Sequence, residues 1–98
     1  MPLEVRDIER SLPRKGFVRK ASKDIYFSFE FEGKDWGIST FVSHGQREIG
    51  DSLAGKMARQ VKLTKRDFVR LVECPMDHDE YVTKLRELGN LPPASTKS

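Results

Sequence analysis

Hydrophobic and polar positions change their spacing twice along the chain. Val5, Ile8 and Leu12 recur at helical intervals with Arg6, Asp7, Glu9 and Arg10 between them, which predicts a short amphipathic helix. Pro13 is unsuited to a helix interior and Gly16 favours a turn, so that helix is expected to stop near Ser11 or Leu12. From Ile25 to Glu32 the period falls to two. Ile25, Phe27, Phe29 and Phe31 alternate with Tyr26, Ser28, Glu30 and Glu32, the signature of a half-buried antiparallel strand. Gly33-Lys34-Asp35 reads as a hairpin turn, and Trp36 to Val42 as the return strand with Trp36, Ile38 and Val42 on one face. Phe17 to Lys20 forms a shorter strand ahead of these, separated from them by a turn around Ala21 to Asp24.

Beyond Gly45 the period lengthens again. Ile49, Leu53, Met57 and Val61 repeat every four residues, with Ala54 and Ala58 alongside, and predict a helix capped at Asp51 or Ser52. Thr64-Lys65-Arg66-Asp67 resembles a capping box with Asp in the usual Glu or Gln position. It opens a helix carrying Phe68, Leu71 and Val72, which Pro75 ends. Asp77-His78-Asp79-Glu80 is a second helix start ahead of Tyr81, Leu85 and Leu88, with Gly89 placed as the terminating C′ residue. The expected fold is therefore α+β: a three-stranded antiparallel sheet packed by helices on one face, in the order α-β-β-β-α, with one or two extra C-terminal helices. Residues 1–89 read as a single domain, with a core over about residues 3–73 and a helical extension over 64–89. Residues 90–98, with two prolines and small polar side chains, read as a disordered tail.

Composition narrows the class. At 98 residues and 37% hydrophobic content the chain supports one modest core. Charged residues make up 34% of it but leave a net charge of only +3, which excludes a polybasic tail-driven binder and leans weakly toward an anionic partner. The single cysteine, Cys74, allows no internal disulfide or Cys-rich zinc site and reads as a small apolar residue. No apolar run approaches the roughly 20 residues of a bilayer span, and residues 1–10 lack a signal-peptide core, so the expected location is the cytoplasm, with no membrane partner.

Positive charge gathers in two stretches. Arg14, Lys15, Arg19, Lys20 and Lys23 occupy the first without an intervening acid; Lys56, Arg59, Lys62, Lys65, Arg66 and Arg70 occupy the second, opposed by Asp67 alone. If both meet on one side of the fold they form a surface for phosphates, and if not they are a solvated exterior. The candidate contact set for such a phosphate-bearing partner is Arg14, Lys15, Arg19, Lys20, Lys23, Tyr26, Lys56, Arg59 and Lys62. Phe27, Phe29 and Phe31 are assigned to the core, with Tyr26 on the opposite face. His44 lies in the loop after the last strand, where it can exchange a proton near neutral pH, contact a phosphate, or pin the turn by a hydrogen bond. Neither His44 nor His78 has a second ligand at metal-binding spacing, so no metal or cofactor is expected.

Arg14-Lys15-Gly16-Phe17-Val18 after a short helix, a strand pair, Ser43-His44-Gly45, Gly50-Asp51-Ser52-Leu53 and the run from Gln60 to Phe68 together resemble the HicA-like (YcfA-type) toxin family, over about residues 5–73. The resemblance implies a fold similar to a double-stranded-RNA-binding domain, metal-free RNA cleavage, and an antitoxin of the HicB type as partner. The family's catalytic histidine falls here on Lys23 or Asp24, within Ala21-Ser22-Lys23-Asp24-Ile25-Tyr26, and is absent. An ordinary Asp, titrating near 3.9, is a weak base for a 2′-hydroxyl, and an ordinary Lys near 10.4 a weak acid for a leaving oxygen. The expectation is therefore RNA binding with weak or absent cleavage. Two alternatives stay open: an active mRNA interferase using His44 or a coupled Lys23–Asp24 pair, and a non-catalytic interaction module, which includes a homodimer formed through an exposed strand edge.

Overall fold

The computed structural model describes residues 3–73 and 75–92. In chain order the elements are strand β1 (Leu3–Glu4), helix α1 (Val5–Ser11), a 3₁₀ turn (Leu12–Lys15), strands β2 (Phe17–Ala21), β3 (Ile25–Phe31), β4 (Lys34–Val42) and β5 (Glu48–Ile49), and helices α2 (Asp51–Gln60), α3 (Lys65–Val72) and α4 (His78–Glu87). The expected α+β architecture is present: β2, β3 and β4 form an antiparallel sheet in that order. The predicted core face is buried, with Phe17, Ile25, Phe27, Phe29, Ile38 and Val42 all under the helices. Phe31 and Trp36, at the hairpin end, are half-buried against it.

Several boundaries differ from the sequence reading. Helix α1 does end at Ser11, as expected, but the chain then tightens into the 3₁₀ turn, which accommodates Pro13 at its start. The hairpin turns one residue earlier than expected, at Glu32 and Gly33, whose φ values of 55° and 75° suit the tight primed turn of a two-residue loop. Between the pairs Ser28↔Ser39 and Glu30↔Asp35, Phe29 faces three residues of β4, and Gly37 (φ 73°) occupies the bulge. The insertion is even, so Ile38, Thr40 and Val42 keep the inward face.

Ile49, assigned above to the helix stripe, instead belongs to β5, which pairs with β1 in a second, two-stranded sheet (Leu3↔Ile49). The cap of α2 is Gly50 rather than Asp51 or Ser52, and no side chain caps it. The other two caps follow the sequence reading: Thr64 accepts from the Asp67 N–H and Asp77 from the Glu80 N–H. Gly89 (φ 79°) closes α4, with the N–H of Asn90 bonded to Leu85 O and that of Gly89 to Arg86 O, the six-to-one and five-to-two pair of a Schellman motif. The chain stays ordered into the segment expected as a tail: Leu91 is buried and Arg86 Nε donates to Pro92 O. Residues 93–98, and Cys74, lie outside the described residues.

Tyr81 of α4 locks the helical layer to the sheet. Its ring lies 5.6 Å from Phe17 and 5.2 Å from Phe29, and its hydroxyl donates to Val61 O at 2.9 Å. Burial pushes its ionisation upward, above its ordinary value of 10.0. The folded form thus favours the neutral phenol. That preference costs nothing below pH 10 and is lost as pH rises past it, because the unfolded chain then gains by ionising first. Unfolding stability of the wild type should fall above about pH 10 more steeply than that of Tyr81→Phe; parallel alkaline limbs in urea titrations of the two proteins would refute this.

Candidate nucleic-acid interface

All the helices lie on one side of the main sheet, so its other face carries the outward positions of β2, β3 and β4. Val18, Tyr26 and Phe41, three of the four large exposed hydrophobics among the described residues, project from it with 38%, 37% and 40% exposure. Strand register arranges them in rows. Lys20 pairs with Tyr26 and Tyr26 with Phe41, whose rings are 5.4 Å apart, tilted by 34°. Beyond Phe41 a groove between β4 and α2 is lined by Phe41, Leu53, Lys56 and Gln60. A line across the fold therefore reads Lys20, Tyr26, Phe41, Lys56: a cation, two aromatic faces, a cation. The neighbouring row is Val18, Ser28 and Ser39, and at the hairpin end Glu30 faces Asp35. The open face is basic toward the β2–β3 turn and acidic toward the hairpin.

The basic residues named from sequence separate into groups. Lys20 and Lys56, one from each basic stretch, flank the aromatic pair, and Lys23 is exposed in the turn between β2 and β3. Arg19 has the inward parity of Phe17 and meets Glu9 of α1 at 3.4 Å. Lys15 is not on the surface at all. It is 6% exposed, and its Nζ donates to Leu71 O at 2.9 Å and to Met76 O. Arg14 and Arg59 are exposed. Lys62 is exposed and takes the left-handed conformation (φ 69°) after α2, a backbone position that usually selects glycine. Two others of the second stretch serve the helical layer: Lys65 lies 3.8 Å from Asp51, and Arg70 joins Asp67 to Glu80. Arg66 is exposed. The hydrogen-bonded Glu80 carboxylate, with Asp67, holds the Arg70 guanidinium above its already high ordinary range.

The three residues considered for proton transfer gather at one end of the sheet. Lys23 and Asp24 occupy the β2–β3 turn, and His44, in the loop after β4, bonds to Ser22 O through Nε2 at 2.8 Å. A carbonyl only accepts, so Nε2 carries the proton and Nδ1 is the acceptor of the neutral ring. His44 thus ties the loop after β4 to the β2–β3 turn. His78 is not at this end; it packs beside Phe29 and Phe31 on the helical side.

Phe41 is the functional candidate that sequence reasoning missed. It was included in the return strand without a role, yet its odd position against Ile38, Thr40 and Val42 already gave it the outward face. Its pairing with Tyr26 depends on register.

A larger cleft than this groove lies elsewhere, between α1, β1 and the β4–β5 loop, lined by Glu4, Arg6, Glu9, Arg47 and Glu48. Its charges have both signs and partly satisfy one another, as in the 2.8 Å pair of Arg6 and Glu4, so it is a poor seat for a polyanion. No described helix is long and apolar enough to cross a membrane. The chain matches no family model, no curated protein and no solved structure.

Proposed function

We propose that this protein is a HicA-like RNA-binding protein of a toxin–antitoxin type system, with weak or absent mRNA cleavage, and that the open face of its main sheet is the RNA surface. One observation carries the reading: Lys20 and Lys56, from basic stretches far apart in sequence, flank one row of exposed aromatic residues. Cations that gather on one face attract phosphates together, and release of their counterions makes the binding salt-dependent. The weak-cleavage part rests on chemistry: no histidine stands at positions 23 and 24, and the nearby His44 uses its Nε2–H to hold the turn. A HicB-like antitoxin that covers this face is the protein partner the reading implies.

The test is RNA binding across a range of salt concentrations. Wild-type affinity should fall with salt, and Lys20→Ala and Lys56→Ala should each reduce the salt slope by about one while weakening binding to all sequences alike. Affinity indifferent to salt and to both substitutions would refute the phosphate surface. Incubated RNA should stay largely intact. The second reading, an mRNA interferase, rests on the meeting of His44 with the Ser22–Asp24 turn, and requires rapid cleavage that His44→Ala abolishes.

A further inference from the structure

We infer that the open sheet face takes unpaired RNA, with two consecutive bases laid on the rings of Tyr26 and Phe41; the inference rests on the RNA-binding reading above. Phosphate attraction alone explains the two lysines but leaves the aromatic pair unexplained. Two large rings side by side on an otherwise solvated surface are an unfavourable use of apolar area unless something covers them. A paired A-form helix offers its backbone and 2′-hydroxyls outward and keeps its base faces stacked inside. Rings held on the surface of a sheet cannot reach faces stacked inside a helix, so a duplex would touch the lysines and leave Tyr26 and Phe41 idle. An unpaired strand has free base faces, and stacking on an aromatic ring is available to every base.

The surroundings set where the strand runs. Tyr26 and Phe41 stand on adjacent strands with ring centres 5.4 Å apart, a spacing that neighbouring splayed bases can follow. Lys20 at one end of the row and Lys56 at the other then meet the phosphates entering and leaving it. The strand crosses the sheet perpendicular to β3. Glu30 and Asp35, opposite one another toward the hairpin, repel a phosphate backbone and confine it to the turn half of the face. Ser28 and Ser39 lie between, with hydroxyls that can bond to base edges.

Three probes test this: a short single-stranded oligoribonucleotide, the same strand annealed to its complement, and a strand of equal length with abasic sites in place of its bases. The single strand should bind at least about tenfold more tightly than either of the others. Tyr26→Ala and Phe41→Ala should each cost about tenfold on the single strand, with an unchanged salt slope and little effect on the duplex. Phe41→Trp should retain affinity and Phe41→Leu should lose it, since leucine keeps apolar area but offers no ring. Equal binding of the abasic strand, a preference for duplex, or neutral Tyr26 and Phe41 substitutions would overturn the inference while leaving salt-dependent binding through Lys20 and Lys56 intact. Absence of all RNA binding would overturn both. Light scattering supplies the remaining check: a dimer that Phe41→Ala converts to monomer makes this face a contact between copies and ends the base-stacking inference.

Discussion

Replacing Lys15 with methionine should cost about 3 kcal/mol of stability and lower Tm by roughly 15 °C, while leaving the RNA affinity of the folded protein unchanged. The side chain enters the interior and its Nζ serves Leu71 O, near the C-terminus of α3, and Met76 O, in the connection to α4. The last carbonyls of a helix have no partner within it, and a cation there also meets the negative end of the helix dipole. Methionine preserves the length of the stem and most of its packing, so the loss isolates the ammonium group. Two buried carbonyls would lose a charged donor, and each such unmade bond costs about 1–3 kcal/mol. Urea titration measures it. A loss below about 1 kcal/mol would show that water or a local shift satisfies both carbonyls, and that Lys15 has no structural task. A loss of RNA affinity in step with Lys20→Ala would return Lys15 to the binding surface.

A comparable loss, about 3 kcal/mol, is expected for Gly16→Ala, from two sources that can be separated. Gly16 has φ 101°, outside the range an L side chain adopts comfortably, and a Cβ there would lie 2.8 Å from Phe29 Cε1 and 3.0 Å from His78 Cδ2. The backbone has no freedom to move away, because Glu30 N donates to Gly16 O at 3.0 Å and so fixes the residue against β3. Phe29 is fully buried among Phe17, Phe31 and Tyr81, so its ring cannot swing aside. Steric crowding and conformational strain are distinguished by measuring Gly16→Ala in a Phe29→Leu background. If crowding contributes, the alanine should cost less there, giving a coupling of about 1 kcal/mol in the double-mutant cycle. Equal costs in both backgrounds would assign the whole effect to backbone strain, and no cost in either would contradict the close packing of the turn.

These two adjacent residues also mark where local reading stops. The sequence placed Lys15 with Arg14 in an exposed basic stretch because charge in a run of cations reads as surface, and a buried lysine looks the same in sequence as a solvated one. The distinguishing feature is a pair of carbonyls about sixty residues away. Gly16, in contrast, was assigned to a turn from its own chemistry, but the ring that forbids a side chain there comes from β3.

What the amino-acid order determined unaided is the set of elements whose signal is contained within a few residues. Alternation from Ile25 to Phe31 specified both a strand and its buried face, Thr64 and Asp77 started their helices, and Gly89 ended the last. These features depend on side-chain periodicity and on hydrogen bonds spanning three to five residues, so no distant partner is needed. The β1–β5 pair, the path of Lys15, the His44 bond to Ser22 and the row from Lys20 through Tyr26 and Phe41 to Lys56 were decided only by tertiary structure. Each joins segments separated by about twenty residues or more, or depends on strand register, and the energy that aligns them comes from packing one shared core. A list of basic residues therefore located charge correctly along the chain, but only folding determined which of those charges stand beside exposed aromatic rings.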